Sequence, residues 1–261
     1  MNRGGAQTIN DDTGRPVLSF VEGTRAGRPC ADLATVLGPG AEEAVLRRLP
    51  GWVVAGDEDL GRRLLAAGAR PLRHAHSYSR DLRAEPAPAW WAETGYGVVA
   101  CDAVPPAEVF PAWRAAYASG HPDRRDTGDA EALNGELAPL LSGRSYGPLL
   151  PCGGLLLRHD RVVAGVMVGT LSGEPPYGGP WVMEVFRDPD PRYAGLGAVM
   201  LRRALALATM HGLPSLGLAV TDGNPARRVY ERLGFRPTGS WLTVIVPGEA
   251  PDQAAPGSSH T

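Results

Sequence analysis

Apolar and polar positions alternate or recur along this chain in two blocks. In the first, Leu18–Glu22 reads as a short strand, and Ala41, Val45 and Leu49 recur at the i, i+4 spacing of a helix over Ala41–Leu49. Trp52–Ala55 is a short apolar strand. Asp57 can cap a helix that runs through Leu65–Ala67 and stops at Gly68, and His74–Leu82 alternates as a further strand. Pro86 and Pro88 mark a linker, placed at 84–94.

The second block starts near Gly95. Val98–Cys101 predicts a strand, Glu108–Tyr117 an amphipathic helix, His121–Gly128 a polar loop and Ala130–Leu141 a second helix. Leu155–Arg158 and Val162–Gly169 predict a hairpin about His159-Asp160-Arg161, and Trp181–Phe186 a strand. Leu196–His211 is the strongest helix, closed by Gly212. Leu216–Val220 is then a strand, Ala226–Leu233 a helix closed by Gly234, and Phe235–Val246 one or two strands. The order predicts a mixed α/β sheet. The expected organisation is a disordered tail at 1–16, an α/β extension at 17–83, the linker, a main domain at 95–247 and a second tail at 248–261.

Composition narrows the classes. Lys+Arg number 26 and Asp+Glu 28, a formal net charge of −2, so nothing draws the whole chain to nucleic acid or anionic lipid. All the cationic side chains are arginine. Cys30, Cys101 and Cys152 are few, odd in number and widely spaced, which fits reduced thiols and a cytoplasmic setting. Met1 to Arg15 carries no apolar signal core, and no run is long enough to span a bilayer.

The chemistry concentrates in Val182-Met183-Glu184-Val185-Phe186-Arg187-Asp188-Pro189-Asp190-Pro191-Arg192-Tyr193-Ala194-Gly195-Leu196-Gly197-Ala198. A strand ends at two prolines, a turn carries two glycines, and a long helix opens inside them. Such a junction offers unpaired amides and the positive end of a helix dipole to an anion. It lacks the third glycine of the dinucleotide fingerprint and the Gly-Lys-Ser/Thr ending of a nucleotide P-loop. Taken alone, it reads equally as a tightly packed strand-to-helix turn.

Arg192-Tyr193-Ala194-Gly195-Leu196-Gly197-Ala198 resembles the Arg/Gln-x-x-Gly-x-Gly/Ala motif of the GNAT (GCN5-related N-acetyltransferase) superfamily. Asn224-Pro225-Ala226-Arg227-Arg228-Val229-Tyr230-Glu231-Arg232-Leu233-Gly234-Phe235 resembles that family's Asn-x-x-Ala-x-x-x-Tyr-x-x-x-Gly-Phe signature. The likeness spans about Gly95 to Val246. It implies a mixed, mostly antiparallel sheet flanked by helices, whose strands part around a pantetheine arm. Val185, Phe186 and Arg187 would then pair with that arm through their backbone. Arg192, Tyr193, Ala194, Gly195, Leu196, Gly197 and Ala198 would hold the pyrophosphate, and Asn224 would reach the cofactor. The implied co-substrate is acetyl-CoA or another acyl-CoA, with no metal. The implied reaction is direct attack by an amine, with Tyr230 as general acid to the thiolate and Glu184 as general base. Each has a plainer alternative: Tyr230 as a helix anchor, Glu184 as an acid paired across the sheet.

The acceptor side is thinly marked. Asp123, Asp126, Asp129 and Glu131 could attract a cationic amine, but Arg124 and Arg125 offset them, which favours a solvated loop. Tyr177 and Trp181 read as packing before pocket. His74 and His76 share a strand face without a third metal ligand in sequence. Trp90-Trp91 reads as a plug between regions, and Arg47-Arg48, Arg62-Arg63 and Arg202-Arg203 as solvated helix faces. Leu64-Leu65-Ala66-Ala67-Gly68-Ala69-Arg70 weakly parallels Tyr230-Glu231-Arg232-Leu233-Gly234-Phe235-Arg236, so the extension resembles a degenerate half GNAT unit. The expected partner is a small-molecule or peptide amine, with neither nucleic acid nor membrane; a homodimer stays open. Two alternatives remain: an acyltransferase using a longer acyl-CoA or a carrier-protein thioester, and a non-catalytic CoA-binding sensor.

Overall fold

The computed structural model has eleven strands of two to twelve residues among its described residues. It describes residues 6–248 apart from 26, 125, 126 and 177. Tyr177, Arg125, Asp126 and the outer parts of both expected tails lie outside the described residues. In chain order the elements are β1 (Ala6–Asn10), β2 (Pro16–Arg25), β3 (Arg28–Val36), α1 (Ala41–Arg48), β4 (Val53–Asp57), α2 (Glu58–Ala66), β5 (Arg70–Asp81) and β6 (Val98–Val99). There follow α3 (Pro106–Ala116), then α4 (Asp129–Glu131), a π-helical run Ala132–Leu137 and α5 (Ala138–Leu141). The chain ends with β7 (Gly154–Arg158), β8 (Arg161–Leu171), β9 (Gly179–Arg187), α6 (Leu196–Met210), β10 (Ser215–Thr221), α7 (Arg227–Arg232) and β11 (Arg236–Ile245).

Contacts divide the chain into two units, Met1–Ala75 with Ser240–Thr261, and His76–Gly239. In the first unit β1, β2 and β3 form an antiparallel meander, β3 pairs parallel to β4, and β4 pairs antiparallel to β11 from Asp57↔Trp241 to Val53↔Ile245. Leu18, Val45, Leu60, Leu64 and Val244 meet in its core. Three features here differ from the sequence reading. Ala6–Asn10 is a strand where a tail was expected, β3 is new, and residues from Ser240 onward group with the first unit. The physical cause is a sparse apolar pattern: within residues 7–10 Ile9 is the buried side chain, and β1 is held by backbone pairing to β2.

The second unit has the strand order β5-β10-β9-β8-β7-β6, with β10 parallel to β9 and antiparallel pairs from β9 to β6. Residues 162–169 of β8 are buried continuously, because the sheet is covered on both faces. One face packs Val166, Val168, Leu218 and Val220 against Met200, Leu201, Ala204 and Leu205 of α6. The other packs Met167, Leu155 and Phe186 against Val109, Ala112 and Trp113 of α3.

Two side-chain expectations are corrected. Trp90 is 68% exposed and plugs nothing, while Trp91 packs on the second unit's core beneath Arg80 and Arg202. Arg203 is half-buried and donates to the Gly153 carbonyl, so that stretch of α6 is not a solvated face.

Candidate active site

A single irregularity sets the chemistry of β9. Val182 pairs with Val168 and Glu184 with Met167, so Met183 is an extra residue, a β-bulge. Unbroken alternation would put Val182, Glu184 and Phe186 on one face. With the bulge, Val182 stays on the α6 face while Glu184 and Phe186 turn to the α3 face. There Tyr117, just past the end of α3, donates its hydroxyl to Glu184 Oε2 at 2.5 Å.

The lower end of β9 is tied to β10, and the upper end is not. The register pair between them is Gly217↔Trp181, yet β9 continues to Arg187 and β10 to Thr221. At the tie the indole lies on the glycine: a Cβ on Gly217 would stand 2.3 Å from a Trp181 ring carbon. Trp181 is therefore a packing residue. No further register pair between β9 and β10 is present among the described residues, and Val185, Phe186 and Arg187 lie beyond that pair on β9.

Along the chain, β9 is followed by the turn that opens α6. Asp190 caps a 3₁₀ turn at Pro191–Tyr193 by accepting from the Arg192 amide at 3.0 Å. Ala194 N–H donates to the Pro191 carbonyl, and Gly195 sits in the left-handed region at φ 85°. The first helical bond is Val199 N–H to the Gly195 carbonyl. No side chain caps the helix, so the amides of Leu196, Gly197 and Ala198 have no acceptor among the described residues. A Cβ at Gly195 or Gly197 would meet nothing within 4 Å. Arg192 is 70% exposed, stacks on Tyr193 and is held by Asp190 through Nε at 2.8 Å and Nη2 at 2.6 Å. Its charge is thus shared with a carboxylate at the lip.

Tyr230 comes from α7, which is fixed along its length. Tyr78 donates to Glu231 at 3.2 Å, and buried Arg80 donates to the Leu233 carbonyl at the C-terminal end. Tyr230 is 5% exposed, its ring packs on Phe235, and its hydroxyl has no hydrogen-bond partner among the described residues. Burial pushes its phenol well up, with the negative charges of Asp123 and Glu184 adding to the effect. Tyr117 is raised by the same burial and by Glu184 beside it.

Asn224 faces elsewhere. Its Nδ2 donates to Asp123 Oδ2 at 2.8 Å, and its Oδ1 accepts from the Ala226 amide at 2.9 Å. Asp123 also accepts from the Thr221 hydroxyl, so this acid is bound, contrary to the solvated-loop reading. Asp129 does pair at the surface, with Arg114. His76 lies 2.6 Å from Asp222, and His74 lies 3.9 Å from Glu58.

The structure thus brings Glu184 and Tyr230 into electrostatic reach of one another, and Val185–Arg187 lie on β9 beyond its register pair with β10. Sequence reasoning missed Tyr117 and Thr221. Tyr117 ends an amphipathic helix with no motif around it, so nothing in its spacing marked it.

Residues 115–235 match the family model described as Acetyltransferase (GNAT) family. A GCN5-related N-acetyltransferase from Sphaerobacter thermophilus superposes with a TM-score of 0.60 at 19% identity, covering 93% of this chain and 81% of that one. A tandem GNAT protein from the clavulanic acid biosynthesis pathway superposes with a TM-score of 0.61 at 16% identity, covering 95% and 85%. A GCN5-related N-acetyltransferase from Kribbella flavida gives 0.52 at 17%, covering 89% and 87%. These likenesses show the fold, a mixed α/β architecture with a mostly antiparallel sheet flanked by helices. No curated protein sequence matches the chain.

Proposed function

Residues 115–235 form a GNAT-family acetyltransferase domain, and from that premise we propose that this protein moves an acetyl group from acetyl-CoA to a primary amine by direct attack in a ternary complex. Acyl-CoA-dependent acetyl transfer is the general chemistry of the family. One observation supports the reading most: the amides of Leu196, Gly197 and Ala198 at the start of α6 have no acceptor among the described residues, and they follow a strand, β9, whose register pair with β10 is confined to Gly217↔Trp181.

The residues fit the co-substrate. Leu196, Gly197 and Ala198 would hold its pyrophosphate through their amides, with open space at Gly195 and Gly197 for close approach and Arg192 at the lip. Val185, Phe186 and Arg187 would offer backbone to the pantetheine arm. Bound acyl-CoA supplies an activated acyl thioester. Glu184 accepts the proton that the acceptor nitrogen must shed, directly or through a water. Tyr117 orients that carboxylate by donating to Oε2. Tyr230 keeps its proton at neutral pH, because burial raises its phenol, and so can donate it to the departing sulfur.

The experiment is thiol release from acetyl-CoA across a panel of amines, with CoA affinity measured by calorimetry in parallel. Glu184→Gln and Tyr230→Phe should each lower kcat by roughly 10²–10⁴-fold while leaving CoA affinity near wild type. Unchanged turnover in both variants would remove these two roles. Failure of the wild type to bind CoA would remove the reading itself.

A further inference from the structure

The loop after α3 touches both halves of the chemistry. At its start, Tyr117 donates to Glu184, and the Arg124 guanidinium donates back to the Tyr117 carbonyl at 3.2 Å. The His121 ring stands edge-on to Tyr117 at 5.1 Å, and His121 Nδ1 accepts from the Asp123 amide at 3.1 Å. The loop is thereby folded on itself, with the Asp123 carboxylate turned outward. That carboxylate accepts from Thr221 Oγ1 at the end of β10 and, at 2.8 Å, from Asn224 Nδ2 in the turn that opens α7. Thr221 is 8% exposed, so its bond to Asp123 is shielded from water.

We propose that Asp123, Thr221 and Asn224 form a latch that fixes the acceptor-side loop to the base of α7, and that Asn224 serves this latch instead of binding CoA. The inference rests on the acetyltransferase reading for its kinetic consequence, but not for the latch itself. Three facts favour it. Both polar atoms of the Asn224 side chain are spent, Nδ2 on Asp123 and Oδ1 on Ala226. The partner is a charged carboxylate, whose hydrogen bonds are roughly twice as strong as neutral ones. And the latch joins the segment that carries Tyr117, which holds Glu184, to the turn that leads to Tyr230. Asp123, Thr221 and Asn224 are positioning residues: they set the distance between proton acceptor and proton donor without touching the reacting atoms.

The geometry supplies a selective test. Asn224→Asp keeps the acceptor for the Ala226 amide but opposes two carboxylates across the latch. Adding Asp123→Asn restores every bond with the polarity reversed. The amide introduced at position 123 can donate to the carboxylate introduced at position 224 and still accept from Thr221. Three readouts apply: amide hydrogen exchange over residues 118–124 in the free protein, CoA affinity by calorimetry, and separate KM values for acceptor and acetyl-CoA. N224D should speed exchange over 118–124 at least tenfold and raise the acceptor KM several-fold, with CoA affinity within threefold of wild type. The D123N/N224D pair should return both towards wild type, a coupling that independent sites do not show. Thr221→Val, close in shape, should produce a weaker form of the same pattern and covers the case in which N224D fails to fold. The proposal is overturned if N224D weakens CoA binding tenfold and D123N does not repair it, because Asn224 would then be a cofactor ligand. It is overturned also if exchange over 118–124 is unchanged in N224D and T221V. Wild-type protein that binds no CoA would instead refute the acetyltransferase reading, leaving the exchange arm to decide the latch.

Discussion

The strongest test of the pyrophosphate cradle compares two glycines two residues apart. Gly195 has φ 85° and ψ −17°, a left-handed conformation that costs a residue with a Cβ about 1–2 kcal/mol. A Cβ there meets no atom within 4 Å, so steric clash adds nothing to that strain in the free protein. Gly197 lies in the first turn of α6, outside the left-handed region, and its Cβ would also meet nothing. Alanine there gains helix propensity, worth up to about 1 kcal/mol in a helix interior and roughly half that in a first turn. The two variants should therefore move stability in opposite directions. At about 2–4 °C per kcal/mol for a domain of this size, G195A should melt about 2–8 °C lower and G197A about 1–2 °C higher. Binding should separate them again. In the proposed cradle the amides of Leu196, Gly197 and Ala198 follow directly on Gly195, so relaxation of the strain in G195A would displace them, and CoA should bind at least tenfold more weakly. G197A should stay within threefold, since the GNAT-like motif accepts glycine or alanine at that place. Differential scanning calorimetry and titration calorimetry with CoA read both quantities on the same samples. A G195A protein with wild-type melting temperature and wild-type CoA affinity would refute the reasoning outright.

Other consequences follow from the same packing. Tyr117→Phe removes the donor to Glu184 Oε2; a hydrogen bond to a carboxylate favours its ionised form, so the acid limb of the pH–rate profile should move to higher pH, and an unmoved limb would deny Tyr117 its role. Gly217→Ala drives a Cβ to 2.3 Å from the Trp181 ring and should cost about 1–3 kcal/mol of stability by overpacking, seen as a lower denaturant midpoint; an unchanged midpoint would mean that the β9–β10 tie is loose. Burial raises the thiols of Cys30 and Cys152 to about 11 and that of Cys101 to about 12, from an ordinary 9.0. The folded state then holds protons that the unfolded chain has released, so stability is full below pH 9 and falls as pH rises through the folded values. The loss per thiol is at most about 1.4 kcal/mol per pH unit, and urea midpoints between pH 8 and 11 should show the decline.

The elements of the second unit were legible because their signals are local. A continuous apolar run at 162–169 cannot satisfy its side chains except inside a doubly covered sheet, and glycines at 195, 212 and 234 punctuate helices whatever surrounds them. The start of α6 was legible for the same reason: an uncapped helix start preceded by a left-handed glycine is a property of a few adjacent residues. Tertiary structure alone decided the rest. The bulge at Met183 depends on how β8 and β9 share register, and it turns Glu184 toward Tyr117, 67 residues away in sequence. The tie between β9 and β10 brings one indole onto Gly217, a contact that neither residue announces. Asp123 looked like a solvated acid because its partners, Thr221 and Asn224, stand about a hundred positions downstream. Periodicity records which way a side chain points along its own element, whereas register and loop docking arise from pairings between distant segments, whose free energy belongs to no single stretch of sequence.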